Sequence, residues 1–176
     1  MDPFATLGLA RRYDLDPVEL ERRYRELQKT LHPDRHVGAP ASLRRITLGK
    51  AVEVNEAYRM LRDAVPRAEA LLALLGAGLP ASTHAAPTEF LMEIMELREA
   101  LSESKQVSDG SQVRALAQRV EALQATTQSA LAQAFAAITD DVAAGALHSV
   151  GALVAKMKYY QRFLDEVRAI EDDAHA

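Results

Sequence analysis

The sequence predicts an all-α protein, and three observations carry that prediction. Alanine, leucine, glutamate and arginine dominate a chain of 176 residues that has no tryptophan and only 5% aromatics, a composition that suits helices better than sheets. Apolar residues recur at helical spacing almost throughout. The main interruption is Gly76-Ala-Gly-Leu-Pro-Ala-Ser-Thr-His-Ala-Ala-Pro87, whose two glycines and two prolines disfavour a continuous helix. With 48% hydrophobic residues the chain has material for real cores, so disorder is not expected. The interruption divides the chain into an N-terminal domain, residues 1–75, a linker, 76–87, and a C-terminal domain, 88–176.

The N-terminal domain reads as a helical hairpin. Asp16-Pro17-Val18-Glu19 is a helix start: Asp16 can cap, Pro17 suits the first turn, and Glu19 can reach back as in a capping box. Leu20, Tyr24, Leu27 and Leu31 then form one apolar stripe. The helix must stop before His32-Pro33, because proline disfavours helical geometry in the residue before it and lacks a backbone donor. After a loop punctuated by Gly38 and Pro40, a second long helix starts near Ser42 and is expected to face Leu43, Ile46, Val54, Ala57 and Leu61 inward. Two antiparallel helices joined by a loop result.

The C-terminal domain reads as three helices, roughly 88–106, 111–145 and 147–172. Val113, Leu116, Val120, Leu123, Phe135, Ile138 and Val142 supply the seam of the middle one. Val150, Leu153, Val154, Met157 and Leu164 supply that of the last. A three-helix bundle is the economical arrangement.

Charge and cysteine count exclude several function classes. A net charge of −4 with a pI near 5.7 argues against general nucleic-acid binding, which needs a basic face for the phosphates. Without cysteine there is no disulfide, thiolate metal site or nucleophilic thiol. Met-Asp-Pro-Phe-Ala places an acid where a signal peptide needs cations, and no apolar run approaches the length of a bilayer span; the cytoplasm is the expected location.

Two segments stand out as recognition surfaces. His32-Pro33-Asp34 sits between two helices, where proline holds an imidazole and a carboxylate in an extended loop. Stepping ~100° per residue from Leu20, Arg22, Arg25 and Lys29 fall opposite the apolar stripe and are expected to form a cationic face. The alternation His32, Asp34, His36 is also possible for zinc, but Arg35 intervenes as a like charge, and His84, His148 and His175 do not cluster with it. A metal hydrolase is disfavoured; neither metal nor cofactor is expected.

The second surface lies at the start of the C-terminal domain. With Phe90 as origin, Ile94, Leu97 and Leu101 fall within ~40° and complete a core face. Leu91, Met92, Met95, Glu96, Glu99 and Glu103 fall between ~100° and ~240°, pointing away from it. Burying unpaired glutamates would cost several kilocalories per mole, so this mixed face is expected to meet a partner. Methionine adapts to an irregular pocket, and carboxylates select a basic counterpart.

His32-Pro33-Asp34 is flanked by Glu21-Arg-Arg-Tyr-Arg-Glu-Leu-Gln-Lys-Thr-Leu31 and Val52-Glu-Val-Asn-Glu-Ala-Tyr-Arg-Met-Leu-Arg-Asp63, and the chain opens with Phe4-Ala-Thr-Leu-Gly-Leu9. Together these resemble a J-domain. Phe90-Leu-Met-Glu-Ile-Met-Glu-Leu-Arg-Glu99 and Arg67-Ala-Glu-Ala-Leu-Leu72 further resemble the iron-sulfur co-chaperone family of HscB type. The resemblance implies an L-shaped, non-enzymatic co-chaperone whose C-terminal three-helix bundle binds an iron-sulfur scaffold of IscU type. Its J-domain would engage an ATPase chaperone of HscA type and stimulate ATP hydrolysis there. It assigns chaperone binding to His32, Pro33, Asp34, Arg22, Arg25 and Lys29. Scaffold binding falls to Leu91, Met92, Met95, Glu96, Glu99 and Glu103, with Tyr159, in Lys156-Met-Lys-Tyr-Tyr-Gln-Arg-Phe163, aligned to an aromatic contact. Some eukaryotic relatives carry an N-terminal cysteine module that this sequence lacks, so the compact bacterial form is expected. The alternative is a J-domain co-chaperone with a different client.

Overall fold

Seven helices and no strands make up the described residues of the computed structural model, which omits 33, 35–37, 39, 76–85, 108, 139–143 and 176, and the side chains of 144, 174 and 175. The chain forms two compact units, Met1–Gly78 and Leu79–Ala176.

In the first unit, α1 (Pro3–Leu7) is one short turn pinned at both ends. The Asp2 carboxylate accepts from the Phe4 and Ala5 N–H groups at 3.0 and 3.1 Å and pairs with Arg11 at 2.7 Å. Gly8 ends the turn at φ 65°, a conformation that favours glycine, and its carbonyl accepts from Arg23 at 3.1 Å. A Cβ at Gly8 would crowd that guanidinium. Next come α2 (Pro17–Leu31) and α3 (Ala41–Arg62), the antiparallel hairpin. Asp16 caps α2 by accepting from Val18 N–H, but the Glu19 carboxylate binds Arg22 instead of closing a capping box. Phe4, Leu7, Tyr13, Leu20, Val54, Ala57 and Leu61 are buried.

Leu43 and Ile46, expected to face inward, are exposed. The reason is register. Glu21 pairs with Tyr58 and Gln28 with Asn55, so α2 ends opposite the middle of α3, and residues 41–46 run past it. A fourth helix, α4 (Ala64–Leu74), was not anticipated. It begins where Asp63 turns extended, tolerates Pro66 in its first turn, and buries Val65, Ala68, Leu71 and Leu72. Arg67 ties it down: its guanidinium lies 5.0 Å from the Tyr13 ring centroid and donates to the Leu61 carbonyl at 2.9 Å. Burial pushes the Tyr13 hydroxyl pKa up, against the pull of Arg67.

The second unit comprises α5 (Thr88–Gln106), α6 (Gly110–Ala136) and α7 (Ala144–His175). Phe90, Ile94, Leu97 and Leu101 of α5 pack with Val113, Leu116 and Val120 of α6 and with Tyr160, Phe163, Leu164 and Val167 of α7. Ion pairs Glu93–Arg119 and Arg98–Glu166, at 3.6 and 3.5 Å, flank that core. Contacts of Phe90 with Tyr160 and of Arg98 with Glu166 show that α5 and α7 run parallel, with α6 returning between them.

The middle helix ends at Ala136, short of the expected 145. Ile138-Thr139-Asp140-Asp141 explains this, since β-branched residues and short carboxylates are poor helix formers. Ile138 is half-buried outside the helix, and Val142 lies outside the described residues.

Candidate functional site

The first candidate site grows from the end of α2. Pro33 forces His32 out of the helix into an extended conformation, φ −62° and ψ 132°. The Asp34 N–H then donates to His32 Nδ1 at 3.3 Å, and an Asp34 carboxylate oxygen stands 3.5 Å from the same nitrogen. An accepting Nδ1 places the proton of the neutral ring on Nε2, which has no acceptor among the described residues. Pro33 itself lies outside the described residues, as do Arg35 and His36 of the metal alternative. Among the described residues no cluster could hold a metal ion.

His32 and Asp34 border a groove of about 690 Å³ between α2 and α3. Arg25, Gln28, Lys29 and Leu31 form its α2 wall; Ala51, Val54 and Asn55 form its α3 wall. A polar clamp fixes the two walls. The Tyr24 and Tyr58 rings stack with centroids 4.0 Å apart, and Tyr24 donates to Asn55 Oδ1 at 3.0 Å. Gln28 also donates to Asn55 Oδ1, at 3.2 Å, and Tyr58 donates to Glu21. The hydrogen bond from Tyr58, then that from Arg25, holds the Glu21 carboxyl below its ordinary pKa, while the same contact with Glu21 raises that of Tyr58.

The expected cationic stripe on α2 is exposed but largely neutralised within its own helix. Arg22 pairs with Glu19 and Glu26 at 2.7 and 2.6 Å, and Arg25 with Glu21 at 2.6 Å. Only Lys29 of the three has no carboxylate partner among the described residues. Glutamates one turn away in sequence were the available signal.

The second candidate site is the outer face of α5. Met92 and Met95 are 59% and 70% exposed, and Glu96, Glu99 and Glu103 are exposed around them. Leu91 differs: it is half-buried and packs against the bundle core, where it borders the face. Tyr159 is half-buried too, edge-on to Phe90 with centroids 5.8 Å apart, and Lys156 Nζ lies over that ring, 5.1 Å from its centroid. Arranged this way, α5 has a dry inner face and an apolar outer strip fringed with carboxylates, a surface suited to an apolar, basic partner.

Both units match family models. Residues 2–69 match the DnaJ domain, and residues 86–168 match the HSCB C-terminal oligomerisation domain. The chain is 41% identical over 121 residues to a co-chaperone protein HscB homolog of Aromatoleum aromaticum, covering 68% of each. It is 31% identical to one of Shewanella pealeana over 98% of each. The chain belongs to the HscB co-chaperone family. Chaperone HscB from Vibrio cholerae superposes with a TM-score of 0.83 at 30% identity, covering 98% of this chain and 99% of that one. Human co-chaperone protein HscB shares the fold, with a TM-score of 0.85 at 23% identity over 97% of this chain and 82% of its own. HscB membership makes this chain a J-domain co-chaperone of the iron-sulfur assembly type, and a J-domain implies a heat-shock-class chaperone as partner. No helix among the described residues is long and apolar enough to cross a membrane.

Proposed function

We propose that this HscB-family chain is a bivalent adaptor in the cytoplasm, joining an iron-sulfur scaffold of IscU type to an ATPase chaperone of HscA type. The observation that carries this reading is the outer face of α5, where two exposed methionines sit among three exposed carboxylates on a helix whose opposite face is fully buried. Met92 and Met95 supply apolar area to the scaffold, bordered by Leu91 and Tyr159, and Glu96, Glu99 and Glu103 select basic side chains. His32, Pro33 and Asp34, with Arg22, Arg25 and Lys29, engage the chaperone. Holding the scaffold on one unit while the other docks raises the effective concentration of one partner near the other.

Hydrolysis belongs to the chaperone. The loop accelerates it by binding the hydrolysis-competent state better than the resting one, since a ligand shifts an equilibrium only by its differential affinity. The Nε2–H of His32, with no acceptor among the described residues, is a donor for that discrimination.

The test is the steady-state ATPase rate of the chaperone, with and without scaffold, on adding the native protein or its His32→Gln variant. Stimulation by the native protein that is greatest with scaffold, and its loss in the variant, is the expected outcome. No change in rate with all partners folded would overturn the reading. Stimulation indifferent to scaffold would redirect it to another client.

A further inference from the structure

Sulfur in this chain is confined to five methionines, since cysteine is absent. Their placement is uneven. Met157 is buried in the C-terminal unit at 2% exposure, whereas Met92 and Met95 stand open on α5. Met1 and Met60 belong to the J-domain unit.

The two faces of α5 differ in chemistry as well as in exposure. Its buried large residues Phe90, Ile94, Leu97 and Leu101 are hydrocarbons, which peroxides leave intact. Its exposed large apolar residues, Met92 and Met95, are both thioethers. Leucine matches methionine closely in volume, so apolar area alone does not call for sulfur at both positions. Spaced i, i+3, the two share one surface, with Glu96 and Glu99 one turn further on. Hydrogen peroxide is uncharged, so these carboxylates do not repel it.

Oxidation here changes the surface without touching the core. The thioether sulfur attacks one peroxide oxygen with a lone pair, the O–O bond breaks and an S–O bond forms. The proton on the transferred oxygen passes to the displaced hydroxide, which leaves as water; sulfur loses two electrons and the peroxide gains them. A sulfoxide is polar and accepts hydrogen bonds. Among Glu96, Glu99 and Glu103, which also only accept, it turns an apolar strip with an acidic fringe into a face of acceptors, and an apolar partner segment loses its match.

We propose that Met92 and Met95 are a modification site: peroxide converts the pair to methionine sulfoxide and releases the scaffold, and reduction restores binding. The inference rests on the scaffold reading above and adds its regulation. The return step consumes two thiols, which become a disulfide as the sulfoxide oxygen leaves as water.

To test this, the full chain is treated with hydrogen peroxide, the oxidant is destroyed with catalase, and scaffold affinity is titrated by calorimetry. Peptide mass spectrometry locates the added oxygen. The expected result is one oxygen each on Met92 and Met95 while Met157 stays a thioether, native far-UV circular dichroism, and scaffold affinity weaker by about tenfold. Sulfoxide reductases for both epimers, with dithiothreitol, return the affinity. The variant Met92→Leu/Met95→Leu, compared only with itself, binds equally before and after peroxide; Met60→Leu shows the same loss as the native protein. Undiminished affinity with both residues oxidised overturns the proposal, as does failure of the reductases to restore it or an equal loss in the double leucine variant. Each of these leaves the scaffold reading standing. Oxidation of Met157 at the same rate with loss of helicity also overturns it, because the effect is then damage to the core. Absence of scaffold binding by the untreated native protein removes the scaffold reading and this inference with it.

Discussion

Helices α2 and α5 each carry one of the two proposed recognition surfaces, yet they are anchored by different means. Along α5 the residues Phe90, Ile94, Leu97 and Leu101 are all buried in one apolar core. Of α2 only Leu20 is fully buried, with Leu27 and Leu31 half-buried, and a polar network of Tyr24, Gln28, Asn55, Tyr58 and Glu21 ties it to α3. Apolar burial is non-directional and strong, whereas each hydrogen bond adds only about 1 kcal/mol net but fixes geometry. The comparison suggests a division of labour. On the proposed function, a client surface needs a stable platform, while a loop that discriminates between chaperone states needs a defined register.

The sharpest way to break the comparison is to attack the α5 anchor. Leu97→Ala leaves a cavity among eleven clustered core residues and is expected to destabilise the C-terminal unit by about 2–5 kcal/mol. Its thermal transition, followed by calorimetry, should fall while that of the J-domain unit stays in place. Two coincident transitions shifting together would show that the units do not unfold independently.

A smaller effect separates platform from surface. Met92→Ala combined with Met95→Ala removes exposed side chains only, so helicity and thermal transition should be native. Scaffold affinity in a calorimetric titration should drop roughly tenfold to a hundredfold. Unchanged affinity would remove the scaffold assignment from this face.

The smallest effect probes the polar anchor. Tyr58→Phe keeps the ring stack on Tyr24 but deletes the hydroxyl that donates to Glu21. Tyr58 is the foremost cause of the depressed Glu21 pKa, so the variant should let that value rise towards the ordinary carboxylate range, as read by side-chain NMR during an acid titration. The sign follows from the depression. In the native protein the Glu21 contribution to stability is fully present above its unfolded pKa and is lost as pH falls through the lower folded pKa. The variant should lose part of that acid sensitivity; an unshifted Glu21 would mean that Arg25 and Arg62 set it.

Periodicity and punctuation alone made much of the architecture legible: the all-α class, the end of the first hairpin helix at His32-Pro33, and the inner face of α5, Phe90, Ile94, Leu97 and Leu101. These are local properties, since proline chemistry and the period of a helix do not depend on distant contacts. Tertiary structure decided the rest. It set the register that leaves Leu43, Ile46, Leu48 and Val52 exposed, and it turned Leu91 into a border residue packed on the core. The short helix α4 and the clamp of Arg67 on Tyr13 depend on an extended Asp63 and on a partner ring far away in sequence. Charge divided along the same line: glutamates one turn away in the sequence signal the pairing of the α2 arginines, but only the folded side chains show that Arg44, Arg45 and Arg59 of α3 have no carboxylate partner among the described residues. Periodicity says which way a residue points along its own helix; whether anything stands there to meet it depends on where the neighbouring helix ends.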